Sequence, residues 1–309
     1  MKVLVTGGAG FIGSHVCETL LAAGHRVLAL DNLSTGRREN LPAGVPLVVA
    51  DIRSPQASAL IGDERPDALC HLAAQMDVRR SVAEPGFDAE QNILGLLNLL
   101  EASRRAGVAR VVFSSTGGAI YGEQEAFPAP ETHPTRPVSP YGVSKAAGEL
   151  YLGYYRAQWG LRSVSLRYAN VYGPRQNPHG EAGVVAIFSE RLARGQPCTI
   201  FGTGRQTRDF VYGPDVARAN LLALERDAEG PLNIGTGVET DVNALYAHLA
   251  RAAGDPDRPP RHAEAKPGEQ LRSSVDPSRA ARVLGWTPTV SLAQGLETTV
   301  AWFRERARG

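Results

Sequence analysis

"VTGGAGFIGS" (5–14) places Gly7, Gly10 and Gly13 at G-x-x-G-x-x-G spacing, directly at the end of the first apolar run, "KVLVT" (2–6). No other stretch restricts the fold as much. Glycine at these positions lets the chain turn tightly out of a strand, bring its backbone against a pyrophosphate and pack a helix close on that strand. The phosphates then meet the positive helix N-terminus. A strand, this turn and a helical pattern over 11–23 open a βαβ unit with a dinucleotide site.

The first half keeps that rhythm. "RVLALD" (26–31), "PLVVA" (46–50), "DALCHL" (67–72), "RVVFSS" (110–115) and "RSVSLR" (162–167) read as strands apolar on both faces, as expected where helices cover both sides of a parallel sheet. Helical patterns at 11–23, 87–106 and 140–159 alternate with them, which predicts a doubly wound α/β fold of Rossmann type. Beyond about residue 172 the elements shorten and Pro/Gly turns accumulate, with helical segments at 277–284 and 292–307; this predicts a smaller C-terminal lobe. "RDFVY" (208–212) and "PLNIG" (231–235) are strands able to return to the main sheet. The expected division is therefore a first domain over 1–171, rejoined by about 205–240, and a discontinuous lobe over 172–309.

A net charge of +1 over 309 residues supplies no field for nucleic acid or an anionic membrane, so an anionic ligand must be held locally. No apolar run approaches the roughly 20 residues of a membrane span and no secretory leader pattern is present, which predicts a cytoplasmic protein. Cys17, Cys70 and Cys198 are far apart and not in metal spacing; they read as reduced, buried thiols, and no metal is expected.

Asp31 closes the second strand, eighteen residues past Gly13, where a carboxylate accepts hydrogen bonds from an adenosine ribose diol and repels a 2′-phosphate. That favours NAD over NADP, with Arg37 and Arg38 close enough to dilute the preference. Asp51, ahead of Ile52, has two readings: an acceptor for the adenine amino group, or a helix N-cap.

Of the 33 basic residues only Lys2, Lys145 and Lys266 are lysine. Lys145 lies in "SPYGVSKAAGE" (139–149), where Ser139 suits an N-cap and Pro140 the first helical position, so Tyr141 falls in the first turn and Lys145 one turn later on the same face. The helix end, the ammonium and an oxidised nicotinamide all favour a phenolate, which makes Tyr141 a competent general base for an alcohol. Arginine would serve poorly there, because its broad planar fork is no compact point charge. A third component belongs at the end of the fifth strand. "FSSTGGAIYGE" (113–123) offers Thr116 or Ser115 as a hydroxyl partner for the oxygen losing its proton.

These stretches, with "DNLS", "HLAAQMDVRRSV", "LRYANVYGPRQ", "LNIGTG" and "VLGWTP", resemble the extended short-chain dehydrogenase/reductase family and, within it, the UDP-hexose 4-epimerases, over nearly the whole chain. The resemblance implies NAD held by Gly7, Gly10, Phe11, Ile12, Gly13, Asp31, Asn32, Asp51, Ile52, Ala73, Ala74, Asn92 and Tyr168, with Lys145 on the nicotinamide ribose. It implies a UDP-sugar site built from Thr116, Tyr141, Asn170, Val184, Val185, the backbone from Thr199 to Phe201, Arg208 on the diphosphate, Glu269 and Ser273. The activity implied is exchange of UDP-glucose and UDP-galactose at C4 through a 4-keto sugar, in a homodimer paired through helices 87–106 and 141–159.

Three departures from the family pattern bear on the site. The "TGGAIYG" loop is one residue longer than S-x-x-x-YG. Lys266-Pro267-Gly268-Glu269 stands where many members read Arg-Pro-Gly-Asp. A pocket position that is a bulky tyrosine in some glucose-specific members aligns with Ser273 or Ser274, which leaves room for a 2-N-acetyl group. Gly117 and Gly118 stand where family dehydratases carry an Asp-Glu pair, which argues against elimination chemistry; a decarboxylase, a 4-reductase or a non-catalytic NAD sensor are the remaining alternatives.

Overall fold

The structure is a computed model describing residues 1–179, 183–265 and 270–308. Strands β1 (Lys2–Thr6), β2 (Arg26–Asp31), β3 (Leu47–Val49), β4 (Ala68–His71), β5 (Arg110–Thr116) and β6 (Arg162–Tyr168) are interleaved with helices α1 (Phe11–Ala22), α2 (Pro55–Glu64), α3 (Val78–Ala83), α4 (Pro85–Ala89), α5 (Gly95–Ala106) and α6 (Pro140–Trp159). The chain continues through β7 (Asn170–Tyr172), α7 (Val184–Ala193), β8 (Thr199–Phe201), β9 (Thr207–Tyr212), α8 (Gly213–Glu225), β10 (Gly230–Ile234), β11 (Glu239–Asp241), α9 (Val242–Ala252), β12 (Arg261–Ala263), α10 (Ser278–Leu284) and α11 (Leu292–Arg308).

Seven strands pair in parallel in the order β3-β2-β1-β4-β5-β6-β10. The chain moves outward from β1 to β3 and then in the other direction from β4, so the order reverses between β1 and β4. Ligands of open parallel sheets bind beyond the strand C-termini at such a reversal. Alternate residues feed two layers, which is why the strands read as apolar on both faces. Val3 and Val5 pack with α1, α8 and Trp286. Leu4 and Phe113 pack with α2, α5 and α6.

The two candidate returning strands part company. "PLNI" joins the main sheet as β10, beside β6. "RDFVY" does not: as part of β9 it pairs with β7 and β11 in a separate three-stranded sheet, because Phe210 and Tyr212 are buried with Tyr172 against α7, α9 and α11. A further pair, β8 with β12, lies outside both sheets.

The helix expected over 87–106 is broken into α4, a π-helical turn at Glu90–Leu94, and α5. Within that turn Asn92 reaches back to hold the backbone of Gln75, accepting from its N–H (2.9 Å) and donating to its C=O (2.8 Å). Helix α2 was not legible because only Ala57 and Ile61 of its ten residues are buried, too sparse a stripe to show a helical period. All three cysteines are free and buried. Among the described residues no cluster of side chains suits a metal, and no helix is long and apolar enough to cross a membrane.

Candidate active site

Gly7 adopts φ +69°, and a Cβ there would lie 2.7 Å from the Ala73 backbone nitrogen. A Cβ on Gly13 would lie 1.9 Å from the Gly7 carbonyl oxygen, so the turn closes only if both positions lack a side chain. The same contacts bring the end of β1 against Ala73, just past β4, at the strand-order reversal. Helix α1 then starts at Phe11 behind Gly10, with no side-chain cap on its first-turn N–H groups. Backbone N–H groups at such a turn suit an anionic phosphate.

Asp31 is buried at the end of β2. Its carboxylate accepts from the backbone N–H of Ala9 (3.0 Å) and Leu33 (2.8 Å) and touches the site where a Cβ on Gly36 would sit, 2.8 Å away. Burial pushes its pKa up and the backbone donors oppose the shift. Asn32 is exposed and donates weakly to Asp51 (3.5 Å). Arg37 and Arg38 are exposed. Of the two readings of Asp51, the helix cap is wrong: Ser54 caps α2, accepting from the Ala57 N–H, and Pro55 opens the helix. Asp51 instead holds the Arg53 guanidinium through two bonds of 3.0 Å, an interaction that keeps its carboxyl below the usual range. Ile52 is buried in the α5 layer.

At the other end of the crevice, Ser139 caps α6 by accepting from the Gly142 N–H (3.2 Å), with Pro140 at the first helical position. Tyr141 is half-buried in the first turn. Lys145 is only 4% exposed and donates to the Ser114 carbonyl at 2.8 Å; its Nζ sits 4.8 Å from the Phe113 ring centroid and 5.8 Å from that of Tyr141. Burial lowers its pKa to about 8, against the pull of Asp88 and Glu149. Strand pleating separates the two candidate hydroxyls. Ser115 points to the α6 layer and donates to Glu149 (2.6 Å), whereas Thr116 accepts from the Ala119 N–H (3.2 Å). The Ala119 carbonyl in turn abuts Gly142, the residue after Tyr141: a Cβ there would lie 2.7 Å from it. Thr116 is thus tied to the turn that meets the tyrosine.

The expected sugar-site residues come from several elements. Asn170 is exposed at the start of β7, with its amide oxygen 3.9 Å from the Cβ position of Gly118. Arg208 lies on β9 next to Asp209, a buried carboxylate that accepts from Thr236 N–H (2.8 Å), Thr236 Oγ1 (2.6 Å), Gly237 N–H (3.0 Å) and Val275 N–H (3.3 Å). Those bonds hold the 273–275 segment, with Ser273 and Ser274 buried, against β9. Val275 also packs on the loop that follows β5, 2.7 Å from the Cβ position of Gly117. Thr199 and Phe201 bound β8, and Val184 is half-buried at the start of α7. Lys266 and Glu269 lie outside the described residues.

Three of the expected residues engage their side chains within the fold. Val185 is buried in the core around Tyr172 and Phe210, where its side chain packs the lobe. Tyr168 directs its hydroxyl under the sheet, where the Asn220 amide donates to it at 2.8 Å. Asn92 engages its amide with Gln75 and Asp88.

Sequence reasoning missed several buried polar groups. Glu149 pairs with Arg167 (2.9 and 2.6 Å), which also donates to the Tyr121 hydroxyl (3.0 Å), itself bonded to Asn233 (2.6 Å). Its only sequence signal is the four-residue step from Lys145 along the face that carries Tyr141. His71, bonded through Nδ1 to Thr6 (2.7 Å), opens "HLAAQMDVRRSV" with no role read for it, and Asp88 lies in no quoted motif.

The model of the NAD dependent epimerase/dehydratase family matches residues 3–235. Over 314 aligned residues the chain is 47% identical to the UDP-glucose 4-epimerase of Mycolicibacterium smegmatis, with all of both chains covered. The crystal structure of Thermotoga maritima UDP-glucose 4-epimerase with UDP-glucose superposes with TM-score 0.96 at 48% identity, covering 99% of this chain and 100% of that one. The Thermus thermophilus UDP-glucose 4-epimerase complex with NAD gives 0.92 at 50% identity, over 98% and 99%. With this match and the glycine cradle, Asp31 and the Tyr141–Lys145 helix all at one sheet edge, the chain belongs to the NAD dependent epimerase/dehydratase family.

Proposed function

We propose that the protein is an isomerase that interconverts UDP-glucose and UDP-galactose at C4, using bound NAD. The observation that carries this reading is the first turn of α6: Tyr141 beside a buried Lys145 whose ammonium is fixed on the Ser114 carbonyl, next to a cradle only glycine can form. When bound, NAD supplies the acceptor and donor for the C4 hydrogen of the sugar. Gly7, Gly10, Gly13 and the α1 N-terminus would hold its pyrophosphate, and Asp31 its adenosine ribose. Asp51 and Asn32 would approach the adenine, and Asn92, through the Gln75 loop, would shape the wall beside Ala73 and Ala74; Tyr168 would contribute backbone alone.

Tyr141 takes the proton from the 4-hydroxyl and later returns it, while the Lys145 charge and the helix end favour the phenolate. The Thr116 hydroxyl, still able to donate while it accepts from Ala119, steadies the oxygen as it becomes a carbonyl; Ser115, engaged with Glu149, is the weaker candidate. Arg208 grips the diphosphate, so the sugar can turn over between the two transfers without leaving. Gly117 and Gly118 offer no acid or base for elimination, which disfavours a dehydratase. Replacing Tyr141 with phenylalanine should cut turnover at least about 100-fold with NAD still bound. Undiminished turnover would refute the role of Tyr141 as general base, absence of turnover in the wild type would favour a sensor, and release of oxidised cofactor each cycle would favour a reductase.

Ser273 supports an extension to UDP-N-acetylhexosamines, because a small buried side chain there leaves space beside the sugar. Absence of any turnover of UDP-N-acetylgalactosamine would remove it. We also assign the elements after residue 171, apart from α8, β10 and α10, to a UDP-sugar lobe, and the exposed apolar face of α6 (Val143, Leu150, Tyr151, Tyr154) to a homodimer contact in the cytoplasm, with a role in galactose metabolism.

A further inference from the structure

Lys145 is a charge in an almost dry place, so something must keep it there. Five groups face it: Tyr141 and Glu149 from its own helix, His71 and the Phe113 ring from the sheet, and Asp88 from α4. His71 is buried and neutral, its pKa pushed down by burial and by Lys145 itself, and supplies no negative charge. Glu149 is a carboxylate, but both of its oxygens are bound by the Arg167 guanidinium, so its field is largely cancelled.

Asp88 differs. It is fully buried, and all three of its hydrogen bonds come from neutral donors: Gln75 Nε2 (3.0 Å) and Asn92 Nδ2 (3.0 Å) on Oδ1, Ser144 Oγ (2.6 Å) on Oδ2. None of the described ion pairs involves it. Ser144 is the residue before Lys145, so the carboxylate is anchored to the same turn of α6. A buried carboxylate with only neutral partners carries an unbalanced charge, and such a charge is tolerated in a low-dielectric interior when an opposite one lies nearby.

We propose that Asp88 is a positioning residue: the counter-charge that holds the Lys145 ammonium protonated and fixed between Ser114 and Tyr141. The same carboxylate grips Asn92 and Gln75, so one group would couple the crevice wall beside Ala73 to the charge state of the lysine. This rests on the role of Lys145 given above, but the test does not require turnover.

With three lysines in the chain, protein labelled with 13C at lysine Cε shows three side-chain signals, assigned by Lys2→Arg and Lys266→Arg. The pH midpoint of the Lys145 signal is read in the wild-type holoenzyme, in Asp88→Asn and in Ser144→Ala. Asparagine fits the site: Oδ1 keeps Gln75 and Asn92, and Nδ2 donates to Ser144. The expected result is a midpoint lower by half a unit or more in Asp88→Asn, with the alkaline limb of kcat moved the same way, and a clearly smaller shift in Ser144→Ala, which keeps the charge. A shift under half a unit in Asp88→Asn, or one as large in Ser144→Ala, overturns the proposal. If the asparagine variant does not fold, Asp88→Ser is measured in its place against the same limits. Failure of the Tyr141 experiment with the Asp88 shift intact would fault the activity and leave this assignment standing.

Discussion

In the proposed site, the nucleotide end of the crevice is made of backbone and the sugar end of side chains. The first is the turn from β1 into α1, where Gly7 and Gly13 are fixed by contacts with one another and Gly7 by contact with Ala73. The second gathers Thr116, Tyr141, Asn170, Arg208 and Ser273 from five separate stretches, with the buried Asp209 carboxylate tying the 273–275 segment to β9. A backbone site tolerates almost no change at few positions. A side-chain site tolerates graded change at many, which is where a family on one fold varies its substrate.

The contrast breaks if the glycine turn proves plastic. Gly13→Ala would put a methyl carbon 1.9 Å from a carbonyl oxygen, with no side-chain end able to yield. We expect a loss of at least about 3 kcal/mol in stability and no NAD retained through purification. Both are measurable, by urea unfolding and by cofactor released on acid precipitation. A variant of wild-type stability that carries NAD would show that the backbone relaxes and that the two ends differ less than argued.

This difference also governs what could be read from the chain. The turn, Asp31, the N-cap at Ser139 and the Tyr141–Lys145 step are local, so neighbouring residues reveal them. The sheet that takes β9 is not legible because "RDFVY" is apolar enough for either, and only the packing of Phe210 and Tyr212 on α7, α9 and α11 decides. Asp51 misled as a cap because Ser54, three residues on, competes for α2 and wins with its own hydroxyl. Asp88 belongs to no motif and His71 only opens one; their significance arises when α4, α6 and β4 meet.

Acid should sharpen the comparison, with a smaller effect. His71 lies inside the sheet at the nucleotide end, and His15 joins α1 to the Pro174 carbonyl (3.0 Å) leading into the lobe. Burial lowers their pKa values to about 3 and about 4. Because the unfolded chain takes up these protons first, their stabilisation is fully present above about pH 6.5 and is lost as the pH falls towards 4. Each should account for about 2 kcal/mol between pH 7 and 4.5. Asp31 and Asp209, pushed upward by burial, act with the opposite sign, so the test is a difference. His71→Gln and His15→Gln should each flatten the acid slope of the urea midpoint relative to wild type. An unchanged slope in either would mean that histidine already exchanges with solvent.

The finest discrimination comes from two serine caps with the same chemistry. Ser54 caps α2, which carries no expected site residue, while Ser139 caps α6 just before Tyr141. Replacing either with alanine removes one hydrogen bond to a first-turn N–H and should cost about 1 kcal/mol in stability. In Ser54→Ala that should be all: kcat unchanged within twofold. In Ser139→Ala the fraying reaches the turn holding Tyr141 and loosens the dipole behind the phenolate, so kcat should fall several-fold beyond the stability loss, and more at low pH, where the phenolate is scarcer. Equal kinetic effects of the two caps would mean that Tyr141 is positioned by its contacts across the crevice and not by the helix that carries it.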